Sequence, residues 1–434
     1  MVAWDAYGPR GEGMNVGIVG GGLAGLAVAA GLHASGHSVT VYEAGRATGG
    51  RMATTEVDGH PVDVGFHVLH TAYPAVHRWL DLDALGLQAM DPSTEVILPS
   101  TGKRRLLGDA LRRPSTLLPT LRSVGVRDGF RLLRWRQVAA RSDLEAPLDA
   151  PSPTIDDGLE SRGFGPRLRT QVLAPLFAGI TLDAERNERM AFSTFTWGAM
   201  ARGQMTMPRD GIGAVPRQLA AHLPEGALRT GSTVTAITAT TVEVDGDVVQ
   251  HDRVVLATPQ HVTASMLGLA TPARERTTTT HVFSCATPPL SAARLLLNGE
   301  FNVAASPVLH VHVPTLLHPR ADGQHLVVAT LLDDRTDAAA TLIHLDRWFG
   351  STEGWTHVAS THVPHALPII PVDHVGRDHL PVEVDGLLLA GDHTTHPSVQ
   401  GTLRSAERVL EALGVTLPRG PQDLAERTIP EMNA

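Results

Sequence analysis

A single cysteine, Cys285, in a chain of 434 residues rules out an internal disulfide and fits a reducing compartment. Lysine is as scarce, because Lys103 stands alone among 36 basic residues and the rest are arginine. Aromatic residues make up only 4% of the chain. No run of eighteen apolar residues exists, so no segment reads as a bilayer-spanning helix. A net charge of −9 argues against a general nucleic-acid binder. Residues 1–13 have neither a basic stretch nor an apolar one, so they read as a flexible tail rather than a signal peptide. Neither an internal repeat nor a low-complexity block is present. A cytoplasmic protein is the expectation, with 42% apolar residues, enough for two domains.

Val16-Gly17-Ile18-Val19 is a short apolar run suited to a buried parallel strand. Leu23 to Ala34 reads as a helix and Ser38 to Tyr42 as a second strand, which completes a βαβ unit. The joining Gly20-Gly21-Gly22-Leu23-Ala24-Gly25 has the spacing of a dinucleotide cradle. Gly20 permits the tight turn, Gly22 a close phosphate approach, and Gly25 close helix–strand packing. The amides at Leu23 and Ala24 open the helix, where a partial positive charge favours anions. Glu43 follows Gly20 by 23 residues, at the end of the second strand, where a carboxylate meets ribose hydroxyls and repels a 2′-phosphate.

Further along, Val234, Ile237, Val242 and Val244 alternate, Asp245-Gly246 supplies a hairpin turn, and Arg253 to Ala257 reads as a buried strand. The chain closes with the apolar strand Leu387 to Ala390 and an amphipathic helix from about Val399. Between these pieces, residues 96–205 read as an inserted helical region. Eleven basic residues and two acids (Asp109, Asp128) lie between Lys103 and Arg141, interleaved with Leu, Phe and Trp. That stretch reads either as a solvated helical face or as a peripheral membrane contact in which arginines snorkel.

These residues carry a family resemblance. Glu43 to Arg51, ending Gly49-Gly50-Arg51, resembles the Glu…Gly-Gly-Arg signature of the flavoproteins that include amine oxidases, protoporphyrinogen oxidase and phytoene desaturases. Asp63-Val64-Gly65-Phe66-His67 resembles the family's Asp-x-Gly loop beside the flavin ring. Ala390-Gly391-Asp392 with Val399-Gln400-Gly401 resembles its closing motif. Thr233 to Ile237 with Arg253 to Pro259 resembles its adenine-contacting strand pair, and Pro208 to Pro216 its Gly-rich interdomain turn. The segments at Ser306-Pro307, Trp355 and Ala366-Leu367-Pro368 are more similar to the desaturase side.

The resemblance implies an α/β protein with a Rossmann-type FAD-binding domain (14–95, 206–265, 379–420) interleaved with an α+β substrate domain (96–205, 266–378), followed by a tail at 421–434. It implies bound FAD. Gly50 and Arg51 would lie along the diphosphate, Gly65, Phe66 and His67 near the ring, and Val234 on the adenine. Gly391 and Asp392 would serve the ribityl chain, and the Val399 and Gln400 amides the pyrimidine edge. The activity implied is hydride transfer from a largely apolar, polyprenoid- or tetrapyrrole-like substrate to flavin N5, with O2, a quinone or another acceptor taking the electrons. His67 is the candidate base for the accompanying proton, against the reading of a ring that only packs or bonds the backbone. Amine oxidase, redox-neutral isomerase and non-catalytic flavin-binding partner are the alternatives. The lysine that amine oxidases of this family place near N5 has no counterpart where it belongs, and His393 and His396 stand where an aromatic is usual. The 22 histidines include the pairs His310/His312, His362/His365 and His393/His396, but without cysteines or an organised carboxylate cluster no metal is expected. Cys285, in an alternating stretch, reads as a small core residue.

Overall fold

The structure is a computed structural model and describes residues 13–269 and 275–425. β1 (Asn15–Val19), α1 (Leu23–Ala34) and β2 (Ser38–Glu43) form the βαβ unit, with β1 and β2 parallel from Asn15↔Ser38 to Val19↔Tyr42. Val16, Ile18 and Val41 are fully buried, as befits strands covered on both faces. α1 is buried from Leu23 through Leu32, held against the sheet and against helix Val399–Ala412. Gly31 lets those two helices close, since a Cβ there would lie 2.5 Å from Leu410 Cδ1.

One six-stranded sheet collects distant parts of the chain in the order Leu228–Thr230, β2, β1, Arg253–Leu256, Leu387–Leu389, Glu383–Val384. All its pairings are parallel except the last. Four strands therefore end on the same edge, at Gly20, Glu43, Ala257 and Ala390, the edge where open α/β sheets bind ligands. Backbone hydrogen bonds stitch that edge: Gly20 N–H to Tyr42 O, Ala257 N–H to Val19 O, and Ala390 N–H to Leu256 O. Strands Val234–Ile237, Thr241–Val244 and Asp247–Gln250 form a small antiparallel sheet. Asp245 and Gly246 both have positive φ (55° and 87°), so the two-residue turn matches the right-handed twist of its strands.

A second, seven-stranded sheet runs Thr356–Pro368, Glu275–Cys285, His325–Leu331, Val308–His312, Leu295–Asn298, Ser93–Leu98, Lys103–Gly108. Helices Leu117–Val124, Val126–Arg141 and Met190–Arg202 lie in the intervening insertion. The latter two pack together, with Trp135 stacked on Trp197 at 4.7 Å between centroids.

The helical reading of 96–205 needs correction at its start, where 93–108 is a β-hairpin. Its last strand begins Lys103-Arg104-Arg105 and forms the sheet edge, where cationic side chains discourage pairing with another chain. The charges hid the alternation. Cys285 is a buried core residue, as expected, and burial pushes its thiol up to about 11. Of the expected tails, 1–12 and 426–434 lie outside the described residues, and Gln422–Ala425 is a helical turn.

Candidate functional site

The glycine loop after β1 is shaped by contacts that only glycine tolerates. At Gly20 (φ +110°) a Cβ would lie 2.5 Å from Ala257 O, and at Gly25 it would lie 2.0 Å from Gly20 O. Gly22 differs: a Cβ there would meet no heavy atom within 4 Å. It faces open space at the start of α1, which has no side-chain cap and no acid in its first turn. Such an end favours a phosphate. Gly50 (φ +56°) borders the same space, since its Cβ would sit 3.7 Å from Gly22 Cα, and Gly49 N–H donates to Gly21 O. Glu43 is fixed by two amides, its Oε2 accepting from Gly21 N–H and its Oε1 from Gly45 N–H, both at 2.7 Å. Both oxygens keep a lone pair for ligand hydroxyls. Val234 is buried beside Val19 and Tyr42.

The C-terminal motif reaches this edge from the other side. Asp392, buried, accepts two hydrogen bonds from Arg51, Nη2 to Oδ1 at 2.6 Å and Nη1 to Oδ2 at 2.8 Å. Arg51 Nη1 also donates to Ala366 O at 2.9 Å. Burial works against the Arg51 charge, but Asp392, helped by Glu275, holds its pKa above the ordinary guanidinium value. The two residues that the resemblance assigned to different parts of a cofactor are thus in direct contact. Next to them His393 is buried with both ring nitrogens unpartnered, and burial lowers its pKa to about 4. Gly391 N–H donates to Ser405 Oγ, and Ser398 Oγ caps the Val399–Ala412 helix by accepting from Gly401 N–H. Gln400 is buried, its Oε1 accepting from Ala75 N–H.

The Asp63–His67 loop is pinned from two sides. Asp63 Oδ1 accepts from Thr54 Oγ1 and from Ile212 N–H, which ties it to the Gly-rich turn at 208–216. Burial raises the Asp63 pKa, although His67, Thr54 and Ile212 pull the other way. Gly65 has φ +94°. His67 Nε2 lies 2.9 Å from Val64 O, and a carbonyl only accepts, so Nε2 carries the proton and Nδ1 alone is left to take one.

Phe66 meets His310 and His312 edge-on at 4.9 and 4.6 Å. Those histidines are two residues apart on strand Val308–His312, on one face. Both are buried with Nδ1 unpartnered, and burial drives each pKa down to about 3, so the wall they form is neutral. Behind Phe66 lies an apolar cluster that includes Leu173, Phe177 and Trp197. The sequence suggested surface or hydrogen-bonding histidines here and no metal; their burial against Phe66 was missed, although the i, i+2 spacing on a strand was the signal for a shared face. Lys103 is exposed three strands away, about 14 Å at the usual strand spacing.

No histidine pair taken from the sequence forms a ligand set of its own. His362 Nδ1 faces Thr279 Oγ1 at 3.0 Å, and His365 Nδ1 faces Glu275 Oε2 at 2.9 Å. His396 Nε2 faces Glu145 Oε1 at 3.4 Å, away from His393.

The family model described as flavin containing amine oxidoreductase matches residues 23–413. A 4,4′-diapophytoene desaturase (4,4′-diaponeurosporene-forming) of Staphylococcus haemolyticus is 46% identical over 52 residues, 12% of this chain. The match spans 10% of that relative's own length. An oxidoreductase from Methanosarcina mazei superposes with a TM-score of 0.70 at 18% identity, covering 92% of this chain and all of that one. A protein from Exiguobacterium sp. 255-15, provisionally named a protoporphyrinogen oxidase, gives 0.68 at 17% identity, covering 93% and 99%. At such identities the structural likeness speaks for the fold.

Proposed function

Because this chain belongs to the flavin-containing amine oxidoreductase family, we propose that it is an FAD-dependent desaturase or dehydrogenase of a largely apolar, polyprenoid- or tetrapyrrole-like substrate. FAD suits the open cradle, in which the amides that begin α1 and the Arg51 guanidinium would take the diphosphate and Glu43 would take ribose hydroxyls. Val234 would lie against the adenine, Asp392 would hold the ribityl chain, and the Val399 and Gln400 amides would favour negative charge at the pyrimidine edge. FAD held there supplies a two-electron acceptor for a substrate hydride, and its electrons leave to O2, a quinone or another acceptor. His67 Nδ1 takes the accompanying proton.

The observation that carries the substrate class is the neutral ring wall of Phe66, His310 and His312, backed by apolar side chains. An alkylammonium substrate would be served by a cation-stabilising carboxylate or a pair of electron-rich aromatics. Imidazoles kept neutral by burial favour an uncharged, flat or polyene surface instead. The short match to a desaturase points the same way.

The arginine-rich surface supports a membrane source for such a substrate. Of twelve exposed large apolar residues among those described, six fall there: Leu111, Leu117, Leu118, Val126, Phe130 and Val138. Val126, Phe130, Arg134 and Val138 span an arc of about 120° on their helix, and Arg127 and Arg141 fall on the same side. Apolar side chains interleaved with arginines fit an anionic bilayer surface. Among the described residues no helix is long and apolar enough to cross a membrane.

The test is anaerobic addition of polyprenoid and porphyrinogen candidates to the flavin-loaded protein. Loss of the oxidised flavin band with one of them is expected. Release of peroxide and aldehyde from amines, with no response to any apolar substrate, would overturn the assignment.

A further inference from the structure

Away from the ring wall, three side chains from separate elements converge. His261 sits in the first turn of helix Gln260–Met266, Glu275 begins strand Glu275–Cys285, and His365 lies on the paired strand Thr356–Pro368. The pairing shifts register between Arg276 and Thr278, and this places His365 beside Glu275. Glu275 Oε2 is 2.7 Å from His261 Nδ1 and 2.9 Å from His365 Nδ1. The two imidazoles stack at 3.7 Å. Their three ligand atoms lie within 4.8 Å of one another, the one such group of three or more among the described residues.

We propose that His261, Glu275 and His365 bind a divalent first-row transition-metal ion, with Zn2+ as the defining probe. Two imidazole nitrogens and a carboxylate oxygen are the donor set such ions prefer, and three protein ligands leave room for water. Bonds of about 2.0–2.2 Å in a tetrahedral site require donor separations of about 3.4 Å. The side chains therefore need to open by roughly 0.5–0.7 Å, within reach of small rotations.

Charge and burial favour an ion over a purely hydrogen-bonded cluster. The Glu275 side chain is 1% exposed and its Oε1 has no protein partner, an arrangement that is costly for a carboxylate. A bound cation neutralises the buried carboxylate, and one held through both oxygens also satisfies Oε1. With hydrogen bonds alone, two stacked rings share one oxygen and the other stays bare. The rings are 35% and 44% exposed, so an ion has a path in. Arg51, the nearby cation that interacts with Glu275, already holds a bidentate pair with Asp392. His365 precedes Ala366, whose carbonyl receives Arg51, so an ion here also steadies one wall of the cradle. This site does not depend on the substrate assigned above.

The experiment is calorimetric titration of Zn2+ into chelator-treated, flavin-loaded full-length protein, with Co2+ absorption spectra in parallel. One saturable equivalent per chain and visible Co2+ d–d bands are expected. H261A and H365A, both at half-exposed rings, should each weaken Zn2+ binding at least tenfold and abolish the bands while keeping the flavin spectrum. H344A, on the surface helix Ala338–Phe349, should leave binding unchanged. Absence of saturable uptake by the unaltered protein overturns the proposal, and so does uptake that survives in H261A and H365A.

Discussion

The parallel-sheet edge and the seven-stranded sheet do their work by different physics. At the edge, what matters is backbone: which positions lack a Cβ, where a helix begins uncapped, where a strand ends on a carboxylate. Gly20, Gly22, Gly25 and Glu43 lie within 24 consecutive residues, and each has a function fixed by local geometry. The ring wall is a side-chain assembly, Phe66 from one loop meeting His310 and His312 from a strand over 240 residues later. A backbone device announces itself in a short motif. A side-chain wall exists only after the chain has folded.

The sharpest way to break this contrast is to separate fold from cradle within the glycine loop. In Gly25→Val the new side chain must enter the space of Gly20 O, which a Cβ would already approach to 2.0 Å. Backbone cannot yield as a flexible side chain can, so helix and strand part. A loss of at least 1–3 kcal/mol, the usual range for overpacking, is expected together with loss of flavin. Gly22→Ala should act differently, because its Cβ meets nothing within 4 Å and the Gly22 backbone (φ −78°) suits any residue. Its apo-protein melting temperature should stay within about a degree of the parent, while flavin affinity falls at least tenfold. Flavin titration beside thermal melts of the two variants checks this. Full flavin binding by Gly22→Ala would mean that the open space is not the cradle.

Much of the edge was legible because its signals are local. The βαβ unit, the Asp245-Gly246 turn and the Val399–Ala412 helix all appear where the residues place them. What escaped depended on distant partners. Strand Ser93–Leu98 is stabilised by Leu295–Asn298, about 200 residues on, and its hairpin mate was masked by Lys103-Arg104-Arg105. Glu275 belonged to no motif, and His261 to none of the histidine pairs. Their meeting is created by a register shift between strands that no local pattern reveals.

The arginine-rich surface tests whether the substrate side extends to a membrane. Phe130 (69% exposed) and Leu118 (54%) touch little of the fold, so replacing both with glutamate should leave the melting temperature nearly unchanged. Burying each in lipid is worth about 1.5–3 kcal/mol. Phe130→Glu with Leu118→Glu should therefore weaken co-sedimentation with anionic phosphatidylglycerol vesicles by at least tenfold at physiological salt. Vesicle binding equal to the parent's would place any membrane contact elsewhere.

The smallest expected effect concerns the wall's neutrality and appears as pH dependence. His310 and His312 have folded pKa values of about 3, below the ordinary imidazole value near 6.5, because burial penalises the cation. The unfolded chain takes up protons below pH 6.5 and the folded chain does not. Stability that is complete above pH 6.5 is therefore lost as pH falls from there towards about 3, each imidazole adding up to about 1.4 kcal/mol per pH unit to the slope. His70 and His393, at about 4, add to the same slope. Replacing His310 and His312 with asparagine removes the wall's share, so chemical denaturation between pH 6.5 and 4 should show a shallower fall in stability than the parent. His393→Asn should flatten it less than the double replacement, since it removes one group and that group is less depressed. An acid limb unchanged in the double variant would mean that the wall takes up protons in the folded state, and a charged wall would no longer suit an apolar substrate.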